Sequence, residues 1–461
     1  MNKIMNNNEL IKLERLAKKY KETNIPLYLS YPTESWWRNS ANDEEFVQNF
    51  RNLEEPFLYF HFPYCKKACY YCCCYKEVTL EDERKETYIQ YLEKEFKNKL
   101  FLLGIDGFKK VKHMHWGGGT PTYMSCNQLE RVYNNIFSKI DIAEGNDTSI
   151  SIEAYPDEKV LTAEKLKLLR SMGFNEISFG IQDFDERVQK AINRDCKKDV
   201  VQRIVETAKD FGFRVHIDLC YGLPFQGLNE LERTVNDILE MKPDRIATFA
   251  YAHYPISFPM QKLIPMESIP NSFIKVLLAK YAEDTFTANG YFGVGTDHFV
   301  KQDNPLYKAS LKKMIIRDFM GYSVEQRRCF IGFGNSAISF SGNAFYHNIK
   351  SIDDYVKSID NNVIPLERNI SHVLTTDDVI RNKIIQKYIL CDFLIEKSEI
   401  EKEYGICFDD YFKAEMNKLV ILEQDGLVNL ANSNIIKVTS TGKLFARHIA
   451  YVFDRYYNNK I

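Results

Sequence analysis

Cys65-Lys66-Lys67-Ala68-Cys69-Tyr70-Tyr71-Cys72-Cys73-Cys74 holds five of the chain's eleven cysteines in ten residues. Cys65, Cys69 and Cys72 give the spacing C-x-x-x-C-x-x-C. Three thiolates this close in sequence can wrap a loop around one soft metal centre. A [4Fe-4S] cluster has four irons, so three cysteine ligands leave one iron open to a small molecule. Tetrahedral zinc is the alternative, with Cys73 or Cys74 as its fourth ligand. A redox dithiol or a chance cluster is the bland reading. It fits less well with the aromatic filling and the apolar run that precedes the loop.

That run, Phe57–Phe62, is the first of six short apolar segments. The others are Val111–Trp116, Ser149–Ala154, Glu176–Ile181, Arg214–Tyr221 and Arg245–Tyr251. Between them lie amphipathic stretches at Leu80–Leu102, Asn127–Lys139, Ala163–Met172, Val200–Phe211 and Glu230–Met241. Alternation of this kind predicts an α/β fold, a parallel sheet with helices outside. Right-handed crossovers through six units make an open or partial (βα)6 barrel, with ligands at the C-terminal ends of the strands. The cysteine loop leaves the first strand at such an end.

Around this barrel, residues 56–300, we expect a helical, lid-like segment at 1–55 and a mainly helical domain at 301–461. The last part, with Leu427–Leu430, Ile435–Val438 and a helix at Lys443–Tyr457, resembles a winged helix. It carries nine basic and nine acidic residues from Lys397 onward, which argues against a nucleic-acid face. Overall, 61 basic and 63 acidic residues leave a net charge of −2 and no field for nucleic acid or anionic membrane. No apolar window reaches the length of a membrane span, and the polar, Lys-rich N-terminus is not a signal peptide. A cytoplasmic protein with reduced thiols is expected.

Further motifs sit where the strands end. Gly117-Gly118-Gly119-Thr120-Pro121-Thr122 lets backbone approach a ligand and is expected to leave amide groups free. Glu153 closes the third strand and suits a ribose diol or an ammonium group. Gln182 closes the fourth. Asp218, an acid between apolar neighbours, calls for a partner, and Arg194 is the expected one. Tyr31-Pro32-Thr33 and the Trp36-Trp37 pair must cover something, either the main body as a staple or an aromatic substrate as a lid.

With Tyr71 before the third cysteine, the loop resembles the radical S-adenosylmethionine superfamily. Leu58-Tyr59-Phe60-His61-Phe62-Pro63-Tyr64 and the extra Cys74 narrow the likeness to the oxygen-independent coproporphyrinogen III dehydrogenase family of anaerobic haem synthesis. The likeness runs from about Tyr31 to Tyr456 and includes Gly295-Thr296-Asp297-His298-Phe299. That family usually has Gly where Cys73 stands, Arg at Leu27 and Thr at Leu29, and acids at Arg327 and Cys329. The resemblance implies a [4Fe-4S] cluster on Cys65, Cys69 and Cys72, with Cys74 accessory, and two S-adenosylmethionine molecules per chain. Tyr59, Gly118, Glu153 and Ile338 would contact the cluster-bound one. Tyr71, Gly119, Thr120, Gln182, Arg194, Asp218 and Ala252 would contact the second. Substrate contacts would come from Tyr31, Trp36, Arg327 and Arg328.

The implied reaction takes a hydrogen atom from a propionate of a tetrapyrrole and releases CO2 to leave a vinyl group. No catalytic side chain is implied beyond the cluster and S-adenosylmethionine. An electron donor such as a flavodoxin or ferredoxin, no membrane span, no nucleic acid and a monomeric state complete the expectation. Two rivals share the loop: a radical methylase or haem-modifying enzyme, and a haem chaperone.

Overall fold

The computed structural model describes residues 7–20, 25–51, 53, 55–145, 147–324 and 329–458. The chain divides into two compact units, neither of them continuous in sequence, where three consecutive segments were expected. One comprises Arg38–Ile269 with Gln326–Val373; the other comprises Met1–Trp37, Pro270–Glu325 and Leu374–Ile461.

The first unit is built on strands β1 (Phe57–Phe62), β2 (His113–Gly118), β3 (Ser149–Ala154), β4 (Glu176–Gln182), β5 (Arg214–Tyr221) and β6 (Arg245–Ala250). They lie side by side in chain order, every neighbouring pair parallel. The crossovers are the helices Asp82–Leu103, Cys126–Ile136, Ala163–Ser171, Lys198–Asp210 and Leu228–Met241. Each of the six expected strands and five expected helices is present, with ends shifted by a few residues at most. Gly104, at φ +69°, ends the first crossover helix in a left-handed cap that a side chain would strain.

Alternation along the strands sorts the two faces. Phe60, Met114, Trp116, Ile150, Ile152, Ile177, Phe179, Val215 and Ile217 are essentially inaccessible and form the apolar layer. At the intervening positions stand Tyr59, His115, Ser151, Glu153, Ser178 and Asp218. The register brings Tyr59 opposite His115, His115 opposite Ser151, and Glu153 opposite Ser178. Buried parallel strands ordinarily read as unbroken apolar runs. A polar row on one face therefore marks a mouth that ligands enter rather than a packed interior.

Beyond β1 the sheet continues with β7 (Phe330–Phe333), parallel to β1, and then antiparallel through β8 (Ile338–Phe340), β9 (Ala344–Asn348) and β10 (Leu366–Val373). Residues 330–373 thus add four strands where a mainly helical domain is expected from the sequence. β7, β8 and β9, at three to five residues, are too short for periodicity to register, and β10, at eight residues, lacks a strict apolar–polar alternation. A buried ion pair fastens this extension: Lys99 Nζ lies 2.7 Å from Glu95 Oε1, both side chains inaccessible. Glu95 also accepts from Tyr355 Oη at 2.6 Å, Asn348 Nδ2 at 2.7 Å and Gly334 N at 2.6 Å. Lys99 donates to Gly332 O at 2.7 Å.

In the second unit, helices Asn7–Lys19, Ser272–Ala288 and Thr376–Asn382, the last continuing into a π-helix at Lys383–Asp392, share an apolar core with a small sheet. That sheet orders Leu394–Glu396, Ile435–Val438 and Val428–Asn429, the hairpin expected of a winged helix. The expected helix at Lys443–Tyr457 is broken into Ser440–Lys443, Ala446–Val452 and Arg455–Asn458. At the break, inaccessible Asp454 accepts from Tyr28 Oη at 3.0 Å.

The Tyr31–Trp37 segment staples this unit. Tyr31 and Trp37 are wholly inside, and Trp37 Nε1 donates to Pro32 O at 3.0 Å. Half-buried Trp36 rests against Tyr456 and Tyr457, centroids 5.6 and 5.7 Å away. Tyr31 thus has no surface to offer a substrate, whereas Trp36 retains one. Arg327 and Arg328 lie outside the described residues.

Candidate active site

The cysteine loop is held at both flanks by backbone. Tyr64–Cys65 pairs in parallel with Glu77–Val78, and Thr79 N donates to Cys65 O. Its first half is tied to the segment after β4: Asn193 Nδ2 donates to Ala68 O at 2.7 Å and Tyr70 N to Ile192 O at 3.0 Å. Lys66 reaches Asp157 at 3.0 Å. Burial pushes the Cys65 thiol up to about 11, eased by Thr120 Oγ1 at 3.5 Å. The Cys72 thiol is drawn below its ordinary value, first by a hydrogen bond from Cys74 and then, against burial, by the Lys76 ammonium. Lys76 Nζ donates to Cys72 O at 3.3 Å.

Glu153 is set by two neighbours. Gly118 N donates to its Oε2 at 3.2 Å, and His115 Nε2 lies 3.2 Å from its Oε1. His115 Nδ1 is 2.7 Å from Ser151 Oγ, and its ring stacks on Tyr59 at 6.0 Å. Tyr59 Oη in turn lies 3.0 Å from His61 Nδ1. Burial lowers His61 to about 4, so the ring is neutral and its Nε2 donates to Tyr75 O at 3.2 Å. Sequence reasoning named Tyr59 and Glu153 but missed the His115–Ser151 support. The alternation of polar residues along β2 and β3 was the available signal.

The glycine loop corrects an expectation. Gly119 N is bonded to Phe62 O at 2.8 Å and Thr120 N to Tyr64 O at 3.0 Å. With Gly118 N on Glu153, these amides brace the cysteine loop and the carboxylate instead of standing free. Gly118, at φ +106°, has no room for a side chain, because a Cβ there would lie 2.4 Å from the His61 ring.

The expected Asp218–Arg194 ion pair does not form. Asp218 accepts from Ser178 Oγ at 3.0 Å, and burial followed by the Glu153 charge raises its carboxyl to about 6. Arg194 turns the other way: Nη1 is 3.2 Å from Cys69 Sγ, Nη2 bonds Gly180 O, and the guanidinium lies 4.7 Å over the Tyr155 ring. Its buried Nε has no hydrogen-bond partner. The register explains the miss. Asp218 stands opposite Gly180, whose missing side chain leaves the Ser178 hydroxyl as the nearest donor, while Arg194 approaches from a loop that packs on the cysteines.

Gln182 adopts φ +74° at a bulge between β4 and β5. A non-glycine residue there is strained, which fits a position set for function. Ala252 follows β6, and Ile338 opens β8.

The sequence model of the radical SAM superfamily matches residues 59–238. Oxygen-independent coproporphyrinogen III oxidase from a Synechocystis strain is 34% identical over 455 residues, covering 96% of this chain and 95% of its own length. The Salmonella typhimurium protein of the same name is 34% identical over 438 residues, with 94% and 93% covered. The solved structure of coproporphyrinogen III oxidase from Escherichia coli, a radical SAM enzyme, superposes with a TM-score of 0.85 at 34% identity, covering 93% of this chain and 97% of that one. The chain belongs to the oxygen-independent coproporphyrinogen III oxidase family.

Membership in this coproporphyrinogen oxidase family, within the radical SAM superfamily, implies a [4Fe-4S] cluster and S-adenosylmethionine. The donor set fits. All eleven cysteines are free thiols. Three carry the required spacing, and the Arg194 guanidinium and Lys76 ammonium beside them offset the charge of bound thiolates. Among the described residues no three His, Cys, Asp or Glu side chains are gathered close enough to hold a metal ion as they stand. The fit is therefore one of donor identity and cationic surroundings. Among the described residues no helix is long and apolar enough to cross a membrane.

Proposed function

We propose that this protein oxidatively decarboxylates propionate side chains of coproporphyrinogen III to vinyl groups, forming protoporphyrinogen IX. The observation that carries the reading is 34% identity along nearly the whole chain to relatives of that activity, cysteine loop included. Each propionate loses CO2, one hydrogen atom and one further electron. When bound, the cluster and S-adenosylmethionine supply the radical chemistry.

The side chains bind and orient. Cys65, Cys69 and Cys72 hold the cluster, and Cys73 does not. Glu153, fixed by Gly118 N and His115, receives a ribose diol or the ammonium group of the first S-adenosylmethionine, beside Tyr59 and Ile338. Asp218, Arg194 with its unused Nε, Gln182, Tyr71, Gly119, Thr120 and Ala252 belong to a second. Leu27 cannot pair with a propionate, so Arg327 and Arg328 take that part. The enzyme works as a cytoplasmic monomer fed by a flavodoxin or ferredoxin.

Anaerobically reconstituted protein, given S-adenosylmethionine, reductant and coproporphyrinogen III, should release CO2 and accumulate the divinyl product. Cofactor cleavage with methylation of haem or another ring, or haem binding without cofactor cleavage, would overturn the reading in favour of a methylase or a chaperone.

A further inference from the structure

Pro255–Pro270 reads in sequence as a plain connection between the last barrel strand and the next helix. In the structure it is a bracket laid on the second half of the cysteine loop. Its outer face is open to solvent, with Ile256 95%, Leu263 55% and Met266 66% exposed. Its inner face is not. Ile264 packs in one apolar cluster with Tyr70, Tyr71, Leu223 and Tyr251. Gln261, in the short helical turn Pro259–Leu263, is wholly inaccessible.

Every polar atom of the Gln261 side chain is in use. Oε1 accepts from Tyr254 N at 2.5 Å. Nε2 donates to Tyr71 O at 3.1 Å and to Ala252 O at 3.1 Å and reaches Cys73 Sγ at 3.7 Å, so its two hydrogens are shared among three acceptors. One amide thus joins the cysteine loop, between its second and third expected ligands, to the exit of β6. The first half of the loop is tied elsewhere, through Asn193 and Ile192. The second half has only Lys76 and this amide among its side-chain ties to the described residues. A carboxylate could not serve, because it has no proton to give to two carbonyls and a sulfur.

We propose that Gln261 is a positioning residue that fixes the Tyr71–Cys73 segment against Ala252. It thereby sets where the Cys72 sulfur and the β6 exit stand for the ligands of the mouth. It also holds the Cys73 sulfur, at the position the family usually gives to glycine, on the bracket's side of the loop. The consequence for S-adenosylmethionine rests on the function proposed above; the placement of the loop does not.

The test uses Gln261→Glu, which keeps the volume and the acceptor for Tyr254 N and replaces the donors by a carboxylate oxygen facing two carbonyls. In the metal-free, reduced protein, iodoacetamide labelling is mapped by mass spectrometry at Cys73 and at exposed Cys407 as an internal reference. Cys73 should label about threefold faster in the variant with Cys407 unchanged, because its sulfur is released. In the reconstituted protein, S-adenosylmethionine should bind about tenfold more weakly, the loss of roughly one hydrogen bond, and the resonance spectrum of the reduced cluster should shift. The melting temperature should fall, because two buried carbonyls lose their donor and face a carboxylate, so the unchanged Cys407 rate is the control that separates a local release from general loosening. If Gln261→Glu does not fold, Gln261→Met replaces it. Labelling, affinity and spectrum at wild-type values overturn the proposal, as does faster labelling at Cys407 together with Cys73, which marks general loosening. Wild-type protein that binds no S-adenosylmethionine overturns the proposed function, and the labelling arm still decides the role of Gln261.

Discussion

Replacing Asp218 by Asn should stabilise the metal-free protein near neutral pH while weakening cofactor binding. The carboxyl sits between β4 and β6 with a single hydroxyl donor, Ser178, and with the Glu153 charge nearby. Burial raises it from 3.8 to about 6. In the unfolded chain it ionises near its ordinary value. Between those two values the folded state binds more protons than the unfolded one, so stability falls as pH rises and the loss is complete above about 6. Two pKa units correspond to at most about 3 kcal/mol, reduced by whatever water enters the half-buried mouth. Asn still accepts from Ser178 and carries no charge, so this loss disappears. Urea unfolding at pH 4.5 and 7.5 should show wild type and variant close together at the lower pH and the variant ahead by about 1–3 kcal/mol at the higher one. S-adenosylmethionine stoichiometry, measured anaerobically on the reconstituted protein, should fall. A variant less stable than wild type at pH 7.5 would refute the reasoning, because it would mean that the charge is compensated in the fold itself.

Cys73→Ser should retain about four irons per chain after reconstitution, whereas Ser at Cys65, Cys69 or Cys72 should not, by iron analysis and visible absorbance. Lys99→Met strands the Glu95 charge in an inaccessible network and should cost about 3–5 kcal/mol in urea unfolding; Lys99→Met with Glu95→Gln should recover part of it. Trp37→Ala empties a fully buried site in the second unit and should cost about 3–5 kcal/mol, with the iron content of the reconstituted protein unchanged.

What the chain determined by itself were its local patterns. Six runs rich in Val, Ile and aromatics, each followed by a helix-period stretch, state a parallel αβ sheet because both periodicities are properties of neighbouring residues. The cysteine spacing states a three-thiolate loop for the same reason, and strand ends place Glu153, Gln182 and Ala252 at one mouth. Tertiary structure decided which groups met across long separations. Asp218 and Arg194 looked like partners because both needed one, but strand register gave the carboxylate to Ser178 and the loop after β4 gave the guanidinium to Cys69. The glycine-loop amides, free in a one-dimensional reading, were taken by the backbone leaving β1 at Gly119 and Thr120 and by the Glu153 carboxylate at Gly118. Residues 330–373 added four strands, three of them only three to five residues long, and so short a strand is stabilised by the ladder beside it and not by its own pattern. Gln261 touches the cysteine loop 190 residues away. Nothing near Gln261 in sequence marks that contact, because the donors and acceptors that satisfy a buried amide are chosen by how the chain packs, and chain order carries no record of them.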